Sequence, residues 1–298
     1  MLKLKKEKKY LFNRVAIIGL GLMGASLGLA LKQRRIAKMV AGFARRPETR
    51  KKALAGKIVD VACKRIEDAV RGSDFIVLCA PVSVIPGMMK SVLDGELSQG
   101  AIVTDVGSVK SHIAAEAEKT FRDGNAEFIG SHPIAGSEQQ GLESARADLY
   151  HGMVVALTPT PRSSKKALLI AGKFWRALGT DVIVVSPAEH DRVVACTSHL
   201  PHVIAALLAG IVGRDRTGCY AGFCGTGFRD TTRIAEGDPA LWRDIIENNA
   251  HNLLIELGAF EKELKKIIAG LKKGRPGAAE KCLVRGRECR RRLLNDKG

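Results

Sequence analysis

The 298-residue sequence predicts an α/β protein in which a doubly wound parallel sheet precedes an all-α domain. Up to residue 186, short apolar runs bounded by turn residues alternate with segments of helical periodicity. That alternation is typical of a parallel sheet with helices on both faces. Beyond Pro187, apolar residues recur at helical spacing without strand-like alternation. The sequence therefore predicts a first domain over residues 1–186 and a helical second domain over residues 187–298, which ends in a basic tail.

The predicted elements follow in a regular order. Strands are expected at residues 15–20, 39–44, 75–81, 101–107, 127–133, 154–160 and 181–187. Helices are expected at residues 23–34, 109–124, 163–178, 190–213 and 241–273. Roughly the last 25 residues are basic and weakly patterned, and they are expected to fray.

The charge and composition narrow the possible functions. The formal net charge is +17, and much of it lies in the two termini. No helix-turn-helix or RNA-binding signature accompanies it, so nucleic-acid binding is not expected. A basic protein that binds nucleic acid through its tails is the non-enzymatic alternative. No run of eighteen apolar residues is present, so no membrane-spanning helix is predicted.

The seven cysteines are scattered and include no CxxC pair, so neither a zinc site nor a redox motif is predicted. A His-x-x-His sequence at His199 and His202 has no carboxylate cluster beside it, so no metal is expected there. With no secretory signal recognisable at the N-terminus, a reducing cytoplasm is the expected location.

A GxGxxG sequence follows the first strand and opens the first helix, which is the position of a dinucleotide-binding loop in a Rossmann-type fold. Gly19 permits the tight turn, Gly21 lets the backbone approach a pyrophosphate, and Gly24 lets the helix pack closely on the sheet. Leu22 and Met23 lie at the helix N-terminus, whose free N–H groups favour phosphate. These five residues are predicted to bind the cofactor.

The end of the second strand indicates which dinucleotide binds. An NAD site usually has an acidic residue about 20 positions after the glycines, where it binds the ribose 2′-hydroxyl. Here that position is Ala44, followed by Arg45 and Arg46, which are suited to hold a 2′-phosphate. NADP is therefore favoured over NAD. The alternative is that both arginines belong to a solvated turn.

Polar and small residues follow the next two strands, where ligands bind in parallel sheets. Ala80, Pro81 and Val82 are predicted beside the nicotinamide half of the cofactor. Asp105 ends the following strand and is predicted as a further cofactor contact, with Ser108 at the same rim. Ser108 also suits the N-cap of the next helix.

His132 is the candidate general base. A lone histidine is more often structural than catalytic, but this one follows a strand and falls on the same rim as Ser108. Pro133 biases its backbone towards an extended conformation. An imidazole with a pKa of about 6.5 is suited to remove a hydroxyl proton at neutral pH. Hydride transfer from an alcohol carbon requires such a base.

A second polar cluster lies in the helical region. Ser198, His199 and His202 fall within about one helical turn, and Arg233 and Trp242 follow. An arginine can bind a planar carboxylate through two parallel hydrogen bonds. The alternative is a surface helix covered with ion pairs, which explains the two histidines less well.

From about residue 13 to about residue 260, the sequence resembles the prephenate/arogenate dehydrogenases of tyrosine biosynthesis. The resemblance rests on the motifs GLGLMGASLG, CAPV, TDVGSVK, GSHPIAGSEQQG, LTPT, EHD, TSHLPH and GFRDTTRIAEGDPALWRD, in that order. Other Rossmann enzymes share the first motif but not the later series.

The resemblance implies oxidative decarboxylation of a cyclohexadienyl substrate. His132 would take the hydroxyl proton while hydride passes to NAD(P)+, Ser108 would orient His132, and Arg233 would bind the ring carboxylate. The remaining pocket residues implied are Ser137, Ser198, His199 and Trp242. His202 offers a donor to a keto acid side chain, so prephenate is favoured over arogenate. A homodimer formed by the helical domain is implied as well.

The nearest enzymatic alternative is a β-hydroxyacid dehydrogenase, because GLGLMG opens that family too. Those enzymes carry a catalytic lysine on a helix after the nucleotide-binding domain. Here the corresponding region offers Lys173, which precedes the domain boundary, and His132 is better placed.

Overall fold

The computed structural model describes residues 10–122, 126–135 and 141–295. Within them, six parallel strands form the larger sheet, in the order β3-β2-β1-β4-β5-β6. These strands are β1 (Phe12–Ile18), β2 (Ala37–Phe43), β3 (Val61–Cys63), β4 (Phe75–Leu78), β5 (Ala101–Asp105) and β6 (Ala126–Phe128). The strand order reverses between β1 and β4, which creates a crevice at their carboxyl ends. The predicted doubly wound parallel sheet is confirmed.

A smaller sheet departs from the prediction. It consists of β7 (Gly130–Pro133), β8 (Val154–Thr158) and β9 (Asp181–Val184), and β7 runs antiparallel to β8. The single strand expected at residues 127–133 is thus divided between two sheets. The chain crosses at Gly130, where a Cβ would collide with the Thr158 hydroxyl oxygen. Only glycine permits this close approach to β8.

Helices cover both faces of the larger sheet. They are α1 (Leu22–Gln33), α2 (Pro47–Ala55), α3 (Ile66–Val70), α4 (Ile85–Leu93), α5 (Ser111–Thr120) and α6 (Lys165–Ala177). On one face, the Phe75 ring stacks on the Phe174 ring of α6 with centroids 4.1 Å apart. On the other, Ile76 and Leu78 are packed in a cluster with Met89 of α4. Both faces of the sheet are buried, which explains why the strands appear in the sequence as continuous apolar runs.

After β9 the chain is helical. The helices are α7 (Pro187–Val194), α8 (Leu200–Val212), α9 (Thr226–Thr232) and α10 (Pro239–Asn248), and a π-helical turn, Ala195–His199, joins α7 to α8. Residues 1–249 form one compact unit that includes these helices. The domain boundary expected at residue 186 stays a prediction.

Residues 250–298 form a second compact unit. It contains α11 (Ala250–Lys272) and α12 (Gly277–Asn295), which contact each other. The structure has α12 where the sequence predicts a frayed tail. Its apolar residues, such as Leu283 and Leu293, are diluted by arginines, and this weakens the helical pattern.

Residues 187–212 form the one helical stretch, among the residues described, that is long and apolar enough to cross a membrane by length and composition. Helices of globular proteins pass the same test. This stretch also buries the polar side chains of His190, Asp191, His199 and His202, and such groups are costly in lipid. The absence of a membrane segment stays a prediction.

Candidate active site

The glycine loop between β1 and α1 fits a dinucleotide pyrophosphate. Gly19 has a φ of 111°, and a Cβ there would collide with the carbonyl oxygen of Cys79. A Cβ on Gly24 would collide with the Gly19 carbonyl, whereas one on Gly21 would meet no atom of the described chain within 4 Å. α1 begins at Leu22 with no side-chain cap and no acidic residue in its first turn. Its N–H groups are therefore available to an anion.

The turn after β2 carries the two arginines of the cofactor prediction. Arg45 and Arg46 are both exposed. Nη1 of Arg50 donates to the carbonyl oxygens of Ala44 (2.7 Å) and Arg45 (2.8 Å), which holds the turn in shape. Two guanidiniums therefore stand at the end of β2, where a ribose would lie in this fold.

The other residues predicted to bind the cofactor differ in hydrogen bonding and in exposure to solvent. The carbonyl of Met23 accepts a hydrogen bond from the Tyr150 hydroxyl at 2.8 Å. Ala80 and Pro81 follow β4 and are partly or fully exposed, while Val82 is buried. Contacts of all four residues with a dinucleotide stay predictions.

A pocket of about 830 Å³ lies among the start of α1, the loop after β5, strand β7 and the helices that follow β9. This size is typical of small-molecule sites. The structure brings the following predicted residues together in its wall: Leu22, Ser108, His132, Ser198, His199, His202, Arg233 and Trp242. Ser137 lies outside the described residues. Apolar side chains, including Ile134, Met153 and Leu241, complete the wall.

His132, on β7, faces this pocket and contacts a second histidine. Its Nδ1 lies 2.9 Å from Nε2 of His190 on α7. Burial, followed by the repulsion that a protonated ring would meet from His190, Lys110 and His199 in their charged forms, holds the pKa of His132 well below its ordinary value of 6.5. The imidazole is therefore neutral at physiological pH and can accept a proton.

A buried network fixes the peptide before His132. Lys110 and Asp105 are fully buried and form an ion pair. Nζ of Lys110 also donates to the Ser131 carbonyl at 2.9 Å, and the Ser131 N–H donates to Asp105 Oδ1 at 3.1 Å. Desolvation lowers the pKa of Lys110. Asp105 thus holds the ends of β5 and β7 together, and its contact with the cofactor stays a prediction.

The N-terminus of α5 is capped from another helix. The prediction that Ser108 caps it is wrong, because α5 begins at Ser111 and Lys110 occupies the N-cap position. The Asp191 carboxylate of α7 instead accepts the N–H groups of Lys110 (2.7 Å) and Ser111 (2.8 Å). Ser108 is left in the pocket wall.

Ser198 and His199 lie on the π-helical turn, a feature often found at functional sites. Pro201, in the first turn of α8, has no N–H to continue an α-helical pattern through this segment. The wider turn places both side chains in the pocket wall.

The tautomer of His199 follows from its hydrogen bonds. Nδ2 of Asn249 donates to the Asp191 carbonyl at 2.8 Å and lies 3.2 Å from Nδ1 of His199. Because an amide nitrogen only donates, Nδ1 accepts and the proton of a neutral ring is on Nε2. Burial lowers the pKa of His199 to about 4. His199 is therefore a neutral residue with a donor at Nε2.

His202 and Trp242 form one wall of the pocket. Their rings stack with centroids 3.5 Å apart and an interplanar angle of 15°. Gly237 lies against the stack, since a Cβ there would be 2.6 Å from Nε1 of Trp242 and 2.9 Å from Cε1 of His202. Arg233 begins the 3-10 turn Arg233–Glu236 and supplies a cation to the same wall.

Comparison with known proteins identifies the family. Residues 27–184 match the description "Prephenate dehydrogenase, nucleotide-binding domain", and residues 186–283 match "Prephenate dehydrogenase, dimerization domain". The chain belongs to the prephenate dehydrogenase family. A cyclohexadienyl dehydrogenase of Zymomonas mobilis is 36% identical over 262 residues, which cover 86% of this chain and 87% of that protein.

Two solved structures of the family resemble this one over nearly their whole length. Prephenate dehydrogenase from A. aeolicus, in complex with hydroxyphenyl propionate and NAD+, has a TM-score of 0.84 at 32% identity, with 96% of this chain and 98% of that chain covered. Arogenate dehydrogenase from Synechocystis has a TM-score of 0.79 at 30% identity, with 94% and 99% covered. The predicted family and enzyme class are confirmed.

Some residues around this site are given no role by the sequence analysis. Lys110, His190 and Asp191 fall within the motifs TDVGSVK and EHD, which indicate the family without indicating a contact. No sequence motif around Asn249 indicates a role for it. His190 and Asn249 contact the pocket residues His132 and His199, which are 58 and 50 positions away. Lys110 and Asp191 contact Ser131 and Ser111, which are also distant in sequence, so the folded chain is needed to show these contacts.

Proposed function

We propose that this member of the prephenate dehydrogenase family converts prephenate to 4-hydroxyphenylpyruvate, with NADP+ as hydride acceptor. The observation that supports this most is the neutral His132 in a pocket whose wall also carries the Arg233 guanidinium. The imidazole suits a hydroxyl proton, and the guanidinium suits a carboxylate.

The proposed steps balance without net proton release. His132 takes the proton of the 4-hydroxyl, while the Ser108 hydroxyl donates a hydrogen bond to the same oxygen. The bound nicotinamide supplies an acceptor for the hydride from the same carbon. Loss of the ring carboxylate as CO2 leaves an aromatic phenolate, and His132 returns the proton to its oxygen. Arg233 holds the ring carboxylate, with Ser137, Ser198, His199 and Trp242 around the ring.

Prephenate is favoured over arogenate by the side chains at the histidine wall. His199 presents an N–H donor at Nε2, and His202 lies one turn further along α8. Donors suit the keto acid of prephenate, whereas arogenate presents an ammonium group there. The second candidate is arogenate oxidation to tyrosine, which is supported by the likeness to the Synechocystis arogenate dehydrogenase.

One steady-state experiment tests both substrates. NADPH and NADH formation is followed with prephenate and with arogenate, each crossed with NADP+ and NAD+. We expect the highest kcat/KM with prephenate and NADP+. Faster turnover of arogenate would overturn the substrate assignment, and no turnover of either would overturn the function.

We propose that Arg45 and Arg46 bind the 2′-phosphate of NADP+. Both are exposed at the end of β2, and Ala44 stands where NAD sites have a carboxylate. Changing both to alanine should lower kcat/KM for NADP+ by about 10- to 100-fold and leave NAD+ nearly unaffected. Arg162→Ala, on another exposed turn, is the control. A wild-type preference for NAD+ would contradict the assignment.

The β-hydroxyacid dehydrogenase alternative finds little support in the pocket. Lys173 is exposed on α6 and is absent from the pocket wall as far as the chain is described. Turnover of 3-hydroxyisobutyrate in place of prephenate would favour this alternative.

We propose that the protein acts as a cytoplasmic homodimer, with a nucleotide-binding domain over residues 1–186 and a helical domain over residues 187–298. The match of residues 186–283 to a dimerization domain supports the dimer. Leu207 and Ile211 of α8 are more than half exposed, which leaves apolar surface for a second copy. All seven cysteines are free thiols, as a reducing compartment favours. A monomer by sedimentation would contradict the dimer.

A further inference from the structure

We propose that His190 and Asp191 are positioning residues that fix His132 in its proton-accepting tautomer and share the proton that it receives. The proposal rests on the proposed role of His132 as the base. It concerns three side chains joined end to end, two of which come from α7 and one from β7.

The series of hydrogen bonds begins at the Asp191 carboxylate, which can only accept. The Asp191 side chain is buried, and its two oxygens accept the backbone N–H groups of Lys110 and Ser111 at 2.7 and 2.8 Å. Oδ1 also lies 2.8 Å from Nδ1 of His190. These donors favour the ionised form and lower the pKa of Asp191, although burial opposes them. Nδ1 of His190 therefore carries a proton and donates.

The next hydrogen bond follows from the first. A neutral His190 with its proton on Nδ1 has a lone pair on Nε2. That atom lies 2.9 Å from Nδ1 of His132, so Nδ1 of His132 must be the donor. The remaining nitrogen of His132, Nε2, then carries a lone pair and can accept the substrate hydroxyl proton. Asp191 thus sets the tautomer of a residue that it does not contact.

The same hydrogen bonds stabilise the positive charge that His132 gains during the reaction. Once Nε2 accepts a proton, the proton on Nδ1 can shift along the 2.9 Å hydrogen bond to His190, beside the Asp191 carboxylate. The other titratable groups near His132, as far as the chain is described, do not offer this. Lys110 is already paired with Asp105, and His199 is held neutral beside Asn249. Among the described residues, the positive charge is therefore stabilised on the His190 side, and the shift reverses when the phenolate takes back its proton.

A purely structural role for α7 is the competing explanation, because Asp191 also caps α5. His190 distinguishes the two, since its ring is buried and makes both bonds of the chain. His190→Phe keeps an aromatic ring at this position and removes both hydrogen bonds. His112→Phe, on the exposed face of α5, is the matched control.

The test reads the tautomer directly. Imidazole ¹⁵N shifts of the ¹⁵N-histidine-labelled holoenzyme, at neutral pH, distinguish a proton on Nδ1 from one on Nε2, and His132→Asn assigns the His132 signals. We expect Nδ1–H for His132 in the wild type and a shift towards Nε2–H in His190→Phe, but no change in His112→Phe. A wild-type His132 with its proton on Nε2 would overturn the proposal, even if His190→Phe did not fold.

Activity provides the second measurement. His190→Phe should lower kcat for prephenate by about 10- to 1000-fold with little change in the KM of either substrate, as for other disturbed histidine tautomers. Wild-type kcat in this variant would contradict the proposal. The failure of the proposed function is distinguishable, because it appears as undiminished turnover in His132→Asn or as no turnover of prephenate by the wild type.

Discussion

Acid should destabilise this protein through His199. The residue is buried and neutral in the fold, with a pKa lowered to about 4 by burial, while Asp191 partly opposes the shift and His190 and His202 add to it. In the unfolded chain the same ring has a pKa of about 6.5. Because the folded-state pKa is depressed, the contribution of His199 to the free energy of unfolding is fully present above about pH 6.5. It is lost as the pH falls towards 4.

The size of the effect follows from proton linkage. At pH 5 the ring is almost fully protonated in the unfolded chain and almost entirely neutral in the folded protein. The free energy of unfolding is therefore about 2 kcal/mol lower at pH 5 than at pH 7.5. His132, whose pKa is also well below 6.5, adds to the loss in the same direction.

Urea unfolding at pH 7.5 and pH 5.0 measures this loss. His199→Asn removes the titrating group, so its free energy of unfolding should fall between the two pH values by about 2 kcal/mol less than that of the wild type. His112→Asn, on the exposed face of α5, is the control and should follow the wild type. An equal loss in His199→Asn and the wild type would refute the argument that His199 is buried as a neutral ring.

Two further predictions concern the pocket wall. Arg233→Ala should raise the KM for prephenate by about 10- to 100-fold with a smaller change in kcat, because a charge-assisted contact to the ring carboxylate is lost, and an unchanged KM would contradict this role. Gly237→Ala should also raise the KM, since the added methyl group would lie 2.6 Å from Nε1 of Trp242 and displace its stack with His202. Equal prephenate binding by Gly237→Ala and the wild type would show that the stack does not shape the pocket.

The sequence predicts the larger sheet well because its strands are buried on both faces and read as apolar runs. It does not predict β3, since three residues give no usable alternation. It joins β6 to β7 because only Ile129 separates the two strands. The division at Gly130 depends on its pairing with Thr158, the last residue of β8, which lies 28 positions later.

Sequence reasoning finds the pocket residues that carry distinctive chemistry, such as His132 and Arg233. It does not find the bond from His132 to His190, because the two residues are 58 positions apart and no local pattern joins them. The capping of α5 by Asp191 escapes it for the same reason, with Ser108 the obvious candidate by composition. Residues that support others across elements therefore have to be read from the fold.

The most direct test of the central claim, that His132 removes the hydroxyl proton of prephenate, is single-turnover NADPH formation by wild type and His132→Asn. We expect the rate with prephenate to fall by about 10²- to 10⁴-fold in the variant, while NADP+ binding, measured by fluorescence titration, is unchanged. A near-normal rate in His132→Asn would contradict the claim.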